Sequence, residues 1–195
     1  MTVGAVGVET RAARESDARA VTALLRGIYA EWRYFVGDSP APERSLAARI
    51  ATNDITRSFY AVATVDRAVK GWVELHRSPA WRLEHVAVLT LAVAPEARRR
   101  GIGRDLLEAG YDWCRRVGVL KVSLHVRAGN DAAVRLYLSE GFELEGRERG
   151  QIRLGPEAHS RRAGGDETLA APDSARSDAF EDNLIMGKWL DGAGP

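Results

Sequence analysis

Cysteine and lysine are both scarce in this sequence. Cys114 is the only cysteine among 195 residues, so an intramolecular disulfide is impossible, and its place on the apolar side of a predicted helix indicates a packed thiol. Lysine occurs three times among 28 basic residues, so arginine carries almost all of the positive charge. Because 27 acidic residues leave a formal net charge of +1, neither nucleic acid nor an anionic membrane is expected as the main partner.

Long apolar runs are absent as well. No segment has the length of apolar sequence that a membrane-spanning helix needs, and the first residues do not combine a basic region with a long apolar one, as a secretory signal would. We therefore expect a cytoplasmic protein. A chain of 195 residues that is 45% hydrophobic and 28% charged is expected to form one domain, spanning 1–195.

Two common phosphate-binding patterns are missing from the most distinctive stretch of the chain, residues 86–107. Gly101 and Gly103 lack the third glycine of a dinucleotide fingerprint, and no Gly-Lys-Ser/Thr is present for a P-loop. The stretch does contain an almost unbroken apolar strand over 86–93, a basic loop, and the start of a helix that Gly118 ends.

This strand–loop–helix arrangement is physically an anion site. The first N–H groups of a helix have no partner within it, and glycines, which lack a Cβ atom, let an anion approach them. Four arginines add positive charge around the same point: Arg98, Arg99, Arg100 and Arg104. Taken alone, the motif is equally compatible with a phosphate site and with a solvated basic turn.

A second motif lies downstream and favours the phosphate site. Residues 130–142 read Asn-Asp-Ala-Ala-Val-Arg-Leu-Tyr-Leu-Ser-Glu-Gly-Phe. Together with Arg-x-x-Gly-x-Gly over 98–103, this segment resembles the two signature motifs of the GNAT superfamily of acyl-CoA-dependent N-acyltransferases, in the same order and at a similar separation. The resemblance covers 10–154 and resumes over 181–190. It implies an α/β (α+β) GNAT fold, with a mixed, mostly antiparallel sheet of six to seven strands and helices on both faces.

The resemblance also implies acetyl-CoA as the acyl donor. In this family two strands diverge and the pantetheine arm enters between them; here the strands are 83–93 and 120–126. The residues implied to bind the cofactor are Leu91, Ala92 and Val93 through their backbone, the pyrophosphate loop Arg98, Arg99, Arg100, Gly101, Ile102, Gly103 and Arg104, and, near the cofactor arm, Asn130 and Ala133. Tyr137 is implied to lie near the thioester sulfur as general acid, and a phenol with a pKa of about 10 is protonated at neutral pH. No metal site is predicted.

Direct attack by an amine requires a base, because a free alkyl amine with a pKa of about 10 is mostly protonated at pH 7. Glu84 and His85, at the start of the central strand, are the first candidates, ahead of a Glu and a His on the neighbouring strand. The family has no fixed position for this base, so a surface or hydrogen-bonding role stays open for each. His125 and His159 are interpreted as a structural and a loop residue.

Two further segments have open interpretations. The aromatic run Tyr29, Trp32, Tyr34 and Phe35 either covers the core or, as in the proteins that the chain resembles, lines an acceptor pocket. Segment 155–179 holds small, polar and charged residues with almost no bulky apolar side chain, so we expect a flexible insertion in the last hairpin and no added domain.

The expected function is transfer of an acetyl group from acetyl-CoA to a primary amine of a small molecule, amino acid or peptide terminus, by direct attack in a ternary complex. Two alternatives stay open: acetylation of protein N-termini or lysines, and an acyl-CoA-binding sensor without turnover. The sequence does not distinguish a monomer from a homodimer.

Overall fold

The computed structural model describes residues 7–37, 39–154, 179–192 and 194. Four α-helices and seven strands make up this part of the chain. The helices are α1 (Ala18–Tyr29), α2 (Glu43–Ala51), α3 (Ile102–Val117) and α4 (Asp131–Ser139). The strands are β1 (Val8–Ala12), β2 (Ser58–Val65), β3 (Ala68–Arg77), β4 (Val86–Val93), β5 (Lys121–Arg127), β6 (Glu143–Leu154) and β7 (Ala179–Trp189).

The seven described strands form one sheet, in the order β1–β2–β3–β4–β5–β7–β6. Every neighbouring pair is antiparallel except β4 and β5, which are parallel and connected through α3. A parallel pair needs a crossover connection, and the helical spacing after Gly103 supplies it. The predicted α/β (α+β) architecture, with a mixed, mostly antiparallel sheet, is confirmed.

The parallel pair is short. Residues 86–88 of β4 pair with residues 121–123 of β5, and the pairing then stops, although β4 continues to Val93 and β5 to Arg127. Each strand keeps its other neighbour along nearly its whole length, β3 for β4 and β7 for β5. The sheet therefore consists of two half-sheets, β1–β4 and β5–β7–β6, which are joined over a short stretch and then separate into a wedge.

Side chains along β4 alternate between two layers of the fold. Leu89 and Leu91 face the larger core, which contains α3 and part of α4, whereas Ala92 belongs to the smaller core under α1 and α2. The two largest buried side chains are divided in the same way, with Trp113 of α3 in the larger core and Trp72 of β3 in the smaller. Helices therefore cover both faces of the sheet, as predicted, and the wedge opens towards both layers.

Helix α3 is bounded by a left-handed glycine at each end. Gly101, which precedes the helix, has a φ of 83°, and Gly118, which follows it, has a φ of 74°. Residues with a Cβ atom are disfavoured in this region, so both positions favour glycine. The predicted stop at Gly118 is confirmed. Within α3, Gly110 allows close packing on β3, because a Cβ there would lie 2.9 Å from Cδ1 of Leu75.

One strand starts later than predicted, and one predicted segment lies mostly outside the described residues. Strand β4 begins at Val86 and not at Leu83, because residues Trp81–Leu83 form a 3₁₀ turn. Most of the predicted insertion, 155–178, lies outside the described residues, and β7 begins directly after it at Ala179, so the insertion's flexibility stays a prediction. Among the described helices, none is long and apolar enough to cross a membrane.

Candidate active site

The wedge holds a cavity of about 650 Å³. Its walls come from both layers of the fold: Leu91, Ile102 and Tyr137 contribute from the α3–α4 side, and Ile28 and Tyr34 from the α1–α2 side. Because residues of both faces line one space, the cavity passes through the sheet between β4 and β5. Two molecules held on opposite faces of the sheet can therefore meet inside it.

The structure brings nearly all predicted cofactor residues to this cavity. Those that line it are Leu91, Ala92, Val93, Arg98, Arg99, Gly101, Ile102, Gly103, Arg104, Asn130 and Ala133. Of the predicted set, only Arg100 does not line it. The two sequence motifs thus converge on one space, although 27 residues separate Gly103 from Asn130.

The N-terminus of α3 opens onto the cavity. A Cβ atom added at Gly101 would meet nothing within 4 Å, so the space above the first N–H groups of the helix is open to an anion. Gly103 has a second role, because a Cβ there would lie 2.9 Å from Cδ2 of Leu136. Its missing side chain therefore also allows α3 and α4 to approach each other.

The four predicted arginines have different partners. Arg104 donates from Nε to Oε1 of Glu140 at 2.6 Å, and Arg98 is engaged with the loop that follows α1. Arg99 and Arg100 are exposed and form no ion pair with a described residue. Of these four, Arg99 alone both lines the cavity and is unpaired among the described residues, and Arg135 of α4 lines it in the same state, so these two supply the charge that can attract an anion there.

Tyr137 lines the cavity from α4 and is 6% exposed. Its ring packs on Phe142, with the ring centroids 5.4 Å apart, and its hydroxyl forms no hydrogen bond with a described residue. Burial raises the pKa of this phenol above its ordinary value of 10.0, so the group is protonated throughout the neutral range. Protonation and position are therefore those of a proton donor beside the cavity.

Asn130 orients the helix that carries Tyr137. Its side-chain Oδ1 accepts a hydrogen bond from the backbone N–H of Ala133 at 3.2 Å and so caps α4. Tyr137 lies two turns further along the same helix. The cap engages Oδ1 alone, so the Nδ2 donor of Asn130 stays available to a ligand in the cavity.

Glu84 and His85, the predicted base candidates, do not line the cavity. The β4 wall begins at Leu89, four residues beyond His85, which corresponds to about 13 Å at the rise of an extended strand. His85 stacks on Trp189, with the ring centroids 6.1 Å apart, and Glu84 is exposed. The structure therefore does not bring either residue to Tyr137.

His125 does line the cavity, although the sequence analysis interprets it as structural. It alternates along β5 with the buried Leu124 and Val126 of the larger core, so it faces the α1–α2 side. Its Nδ1 lies 3.3 Å from Nδ2 of Asn183 and 3.8 Å from Oε2 of Glu148. The one signal in the sequence for a position at the cavity was that His125 lies on the polar face of a strand that leads to Asn130.

The aromatic run after α1 covers the α1–α2 side of the cavity. We term residues 30–37 the roof loop. Tyr34 and Phe35 line the cavity, whereas Tyr29 supports them by stacking on Phe35 at a centroid distance of 4.7 Å. Some aromatic residues of this run therefore form the cavity wall and others pack behind it, and a role in an acceptor pocket stays a prediction.

The model of the acetyltransferase (GNAT) family matches residues 24–142. The chain therefore belongs to the GNAT family of acetyltransferases, and the resemblance based on the two motifs is confirmed. The matched region includes the wedge, the N-terminus of α3 and Tyr137.

Individual relatives cover different shares of the chain. It is 37% identical over 141 residues to N-alpha-acetyltransferase RimI of Mycobacterium tuberculosis, covering 70% of this chain and 84% of that protein. It is 38% identical over 71 residues to the mycothiol acetyltransferase of Renibacterium salmoninarum, covering 36% of this chain but only 21% of that protein. A phosphinothricin acetyltransferase (Pat) from Sinorhizobium meliloti, solved in complex with acetyl-CoA, superimposes with a TM-score of 0.75 at 20% identity over 95% of this chain and 89% of that chain. At such identity the similarity shows a shared fold alone.

Proposed function

We propose that this protein is an acetyl-CoA-dependent N-acetyltransferase that acetylates a primary amine by direct attack in a ternary complex. The observation that carries the proposal is a single cavity through the sheet. On one face it contacts the open N-terminus of α3 and Tyr137, and on the other it contacts His125 and the roof loop. The first face suits an anionic thioester donor, and the second suits an acceptor amine that must lose a proton.

The donor side fits acetyl-CoA in three respects. Beyond residue 88 the wedge-facing edge of β4 has no strand partner. The odd-numbered residues of β4 face this edge, whereas the even-numbered ones, Ala92 included, bond towards β3, so the N–H and C=O of Leu91 are available to the amides of a pantetheine arm. The N–H groups over 101–104 and the charge of Arg99 suit a pyrophosphate. When bound, acetyl-CoA supplies an activated acetyl thioester. Arg98 contributes indirectly, by fixing the roof loop, because its guanidinium is already paired with Glu31 of that loop.

Tyr137 is the general acid in this scheme. During transfer a bond forms between the acceptor nitrogen and the acetyl carbon, the carbon–sulfur bond breaks, and the departing thiolate takes a proton. The Tyr137 phenol carries that proton at neutral pH because burial raises its pKa. Its ring is held by Phe142, which fixes the direction of the hydroxyl.

His125 is the general base, in the role for which Glu84 and His85 were the predicted candidates. Nδ2 of Asn183 can only donate, so at 3.3 Å it favours the tautomer in which Nδ1 accepts and Nε2 carries the ring proton. For Nε2 to take the proton of the amine, the ring proton has to move to Nδ1, which lies 3.8 Å from Oε2 of Glu148. The imidazolium that forms is then an ion pair with Glu148. Asn183 holds the carboxylate in place by donating to it at 2.8 Å.

The acceptor class that the comparisons favour is the α-amine of a peptide or amino acid. Of the two relatives described, the one named an N-alpha-acetyltransferase is covered over 84% of its length. A small-molecule amine is the second candidate, through the shorter match to a mycothiol acetyltransferase. Acetylation of lysine side chains and acyl-CoA sensing are the alternatives that the experiment has to separate.

The test is turnover of acetyl-CoA, followed by the thiol released, over a panel of amines. The panel contains free amino acids, peptides with a free N-terminus, N-blocked peptides with a free lysine, and small-molecule amines. Turnover that requires a free α-amine supports the proposal, and Tyr137→Phe should then lower kcat by about 10²–10⁴-fold. A parent protein that binds acetyl-CoA in a titration but acetylates no amine would be a sensor.

The base is tested by comparing His125→Gln with His85→Gln. We expect His125→Gln to lower kcat by about 10²-fold and to remove the acidic limb of the pH–rate profile, because glutamine cannot accept the proton. His85→Gln should change neither quantity, since His85 packs on Trp189 outside the cavity. The reverse result would return the role of base to His85.

A further inference from the structure

Arg127 connects the end of β5 to the roof loop. It is a buried arginine, 5% exposed, and its Nη1 donates to the backbone oxygen of Trp32 at 2.8 Å. Its Nε and Nη2 bind Oε2 of Glu181 on β7, whose Oε1 accepts from the backbone N–H of Gly129 at 2.8 Å. An unpaired buried charge is costly, so Glu181 neutralises Arg127 while leaving Nη1 for the roof loop.

Arg98 makes the corresponding connection from the other half-sheet. It follows β4, and its Nε donates to the backbone oxygen of Val93 at 3.1 Å. Nη1 and Nη2 donate to the carboxylate of Glu31 at 3.0 and 2.6 Å, and Nη1 also donates to the hydroxyl of Tyr34 at 3.1 Å. A guanidinium fork that binds both carboxylate oxygens fixes orientation as well as distance. The roof loop is thus fastened to the ends of both diverging strands.

The roof loop also has a conformation that its own sequence does not favour. Trp32 has a φ of 55°, in the left-handed region that bulky residues avoid. Such a conformation persists only where the surrounding structure holds it. The backbone oxygen that Arg127 binds belongs to this same residue. The strained residue and the anchoring contact coincide, which indicates that Arg127 maintains the conformation of the loop.

We propose that Arg98 and Arg127 are positioning residues, which fasten the roof loop to the two half-sheets and so fix the α1–α2 side of the cavity. Within the described part of the chain, the strand ladder that joins the half-sheets is limited to residues 86–88 and 121–123, next to the hydrogen bonds that His85 accepts. A loop bound to the open ends of both strands limits how far the wedge can widen. Tyr34 and Phe35 are kept over the cavity as a result. The inference rests on the proposed function only where it assigns this side to the acceptor amine.

The experiment uses the double variant Arg127→Met/Glu181→Gln, which removes the guanidinium without leaving a buried carboxylate unpaired. Glu181→Gln alone keeps Arg127 and its bond to the roof loop. Arg147→Met is the matched control, because it removes an arginine ion pair to Asp182 on the same half-sheet without touching the loop. Amide hydrogen exchange of residues 30–37 is measured for each variant, together with separate KM values for acetyl-CoA and for the acceptor.

In the double variant, exchange over 30–37 and the acceptor KM should both rise about tenfold, while the KM for acetyl-CoA stays within about twofold of the parent. Arg147→Met should resemble the parent. Glu181→Gln leaves the buried Arg127 without its carboxylate, so it should lower the free energy of unfolding while keeping exchange over 30–37 below that of the double variant. If exchange over 30–37 is unchanged in the double variant, the anchoring role is refuted. The hydrogen-exchange measurement does not require turnover. If the parent protein acetylates no amine, the proposed function is refuted, and the exchange over 30–37 still decides the anchoring role.

A second variant covers the case in which the double variant does not fold. Glu31→Gln removes the carboxylate that Arg98 binds on the partly exposed side of the loop. It should also increase exchange over 30–37 and raise the acceptor KM in preference to that for acetyl-CoA. Exchange and KM values equal to those of the parent would refute the contribution of Arg98.

Discussion

The assignment of the pyrophosphate site can be tested with two alanine substitutions at opposite ends of one helix. Gly101 and Gly118 flank α3, have φ values of 83° and 74°, and are alike in that an added Cβ would meet nothing within 4 Å. Gly101→Ala adds a methyl group at the start of the helix, at a residue that lines the cavity. Gly118→Ala places the same group at the far end, away from the cavity. The two variants therefore share one perturbation of the backbone and differ in position.

The structural cost of the two substitutions should be nearly equal. An alanine in the left-handed region is disfavoured by about 1 kcal/mol relative to glycine, and for a chain of this size that lowers Tm by about 2–4 °C. Only Gly101→Ala should change ligand affinity, because its methyl group occupies the open space from which a phosphate would approach. A loss of at least about tenfold in affinity for acetyl-CoA, or about 1.4 kcal/mol, is the expected result.

Isothermal titration with acetyl-CoA and thermal unfolding of both variants measure the two quantities. The expected pattern is a similar fall in Tm for both, with weaker binding in Gly101→Ala alone. Equal affinities in the two variants would refute the assignment of the α3 N-terminus as the pyrophosphate site. These variants separate the effects better than a bulky residue at Gly103 would, because a Cβ there already contacts Leu136.

Two further predictions concern buried groups. Tyr137→Phe removes a hydroxyl that has no hydrogen-bond partner among the described residues. The free energy of unfolding, measured by urea titration, should therefore stay the same or rise by about 1 kcal/mol. A large fall in that free energy would mean that the hydroxyl stabilises the fold. Cys114 is fully buried and burial raises the pKa of its thiol to about 12, so a disulfide reagent at about pH 8 should label it only after unfolding. Rapid labelling of the folded protein would contradict the packing of α3.

Local sequence, together with the family resemblance, predicted which residues gather at the N-terminus of α3 and the start of α4. A glycine in the left-handed region, a helix N-terminus and a capping asparagine are each determined by residues within a few positions of one another, as at Gly101 and Asn130. The parallel pair and its crossover helix follow from the order of strand and helix patterns. These features were therefore readable before the structure, and the cavity contains all but one of the predicted cofactor residues.

The acceptor side could not be predicted in the same way, because its residues meet over long separations. Arg98 is 67 positions from Glu31, and Arg127 is 95 positions from Trp32. Nothing local to either arginine indicates its partner, and Arg98 was read from its motif as a ligand of the cofactor. His125 was overlooked because its significance depends on where β5 separates from β4, which only the extent of pairing reveals.

The separation of β4 from β5 links recognition to stability. Beyond residues 88 and 123 each strand keeps one neighbour and loses the other. An unpaired strand edge inside a protein is costly unless its N–H and C=O groups find partners, and Arg98 already satisfies the backbone oxygen of Val93 at this edge. A ligand with amides of its own can replace the missing strand, and its binding free energy then stabilises the folded state. Because a hydrogen bond weakens steeply with distance and angle, this replacement works only at one width of the wedge. A roof loop anchored to both strand ends is a direct means of fixing that width.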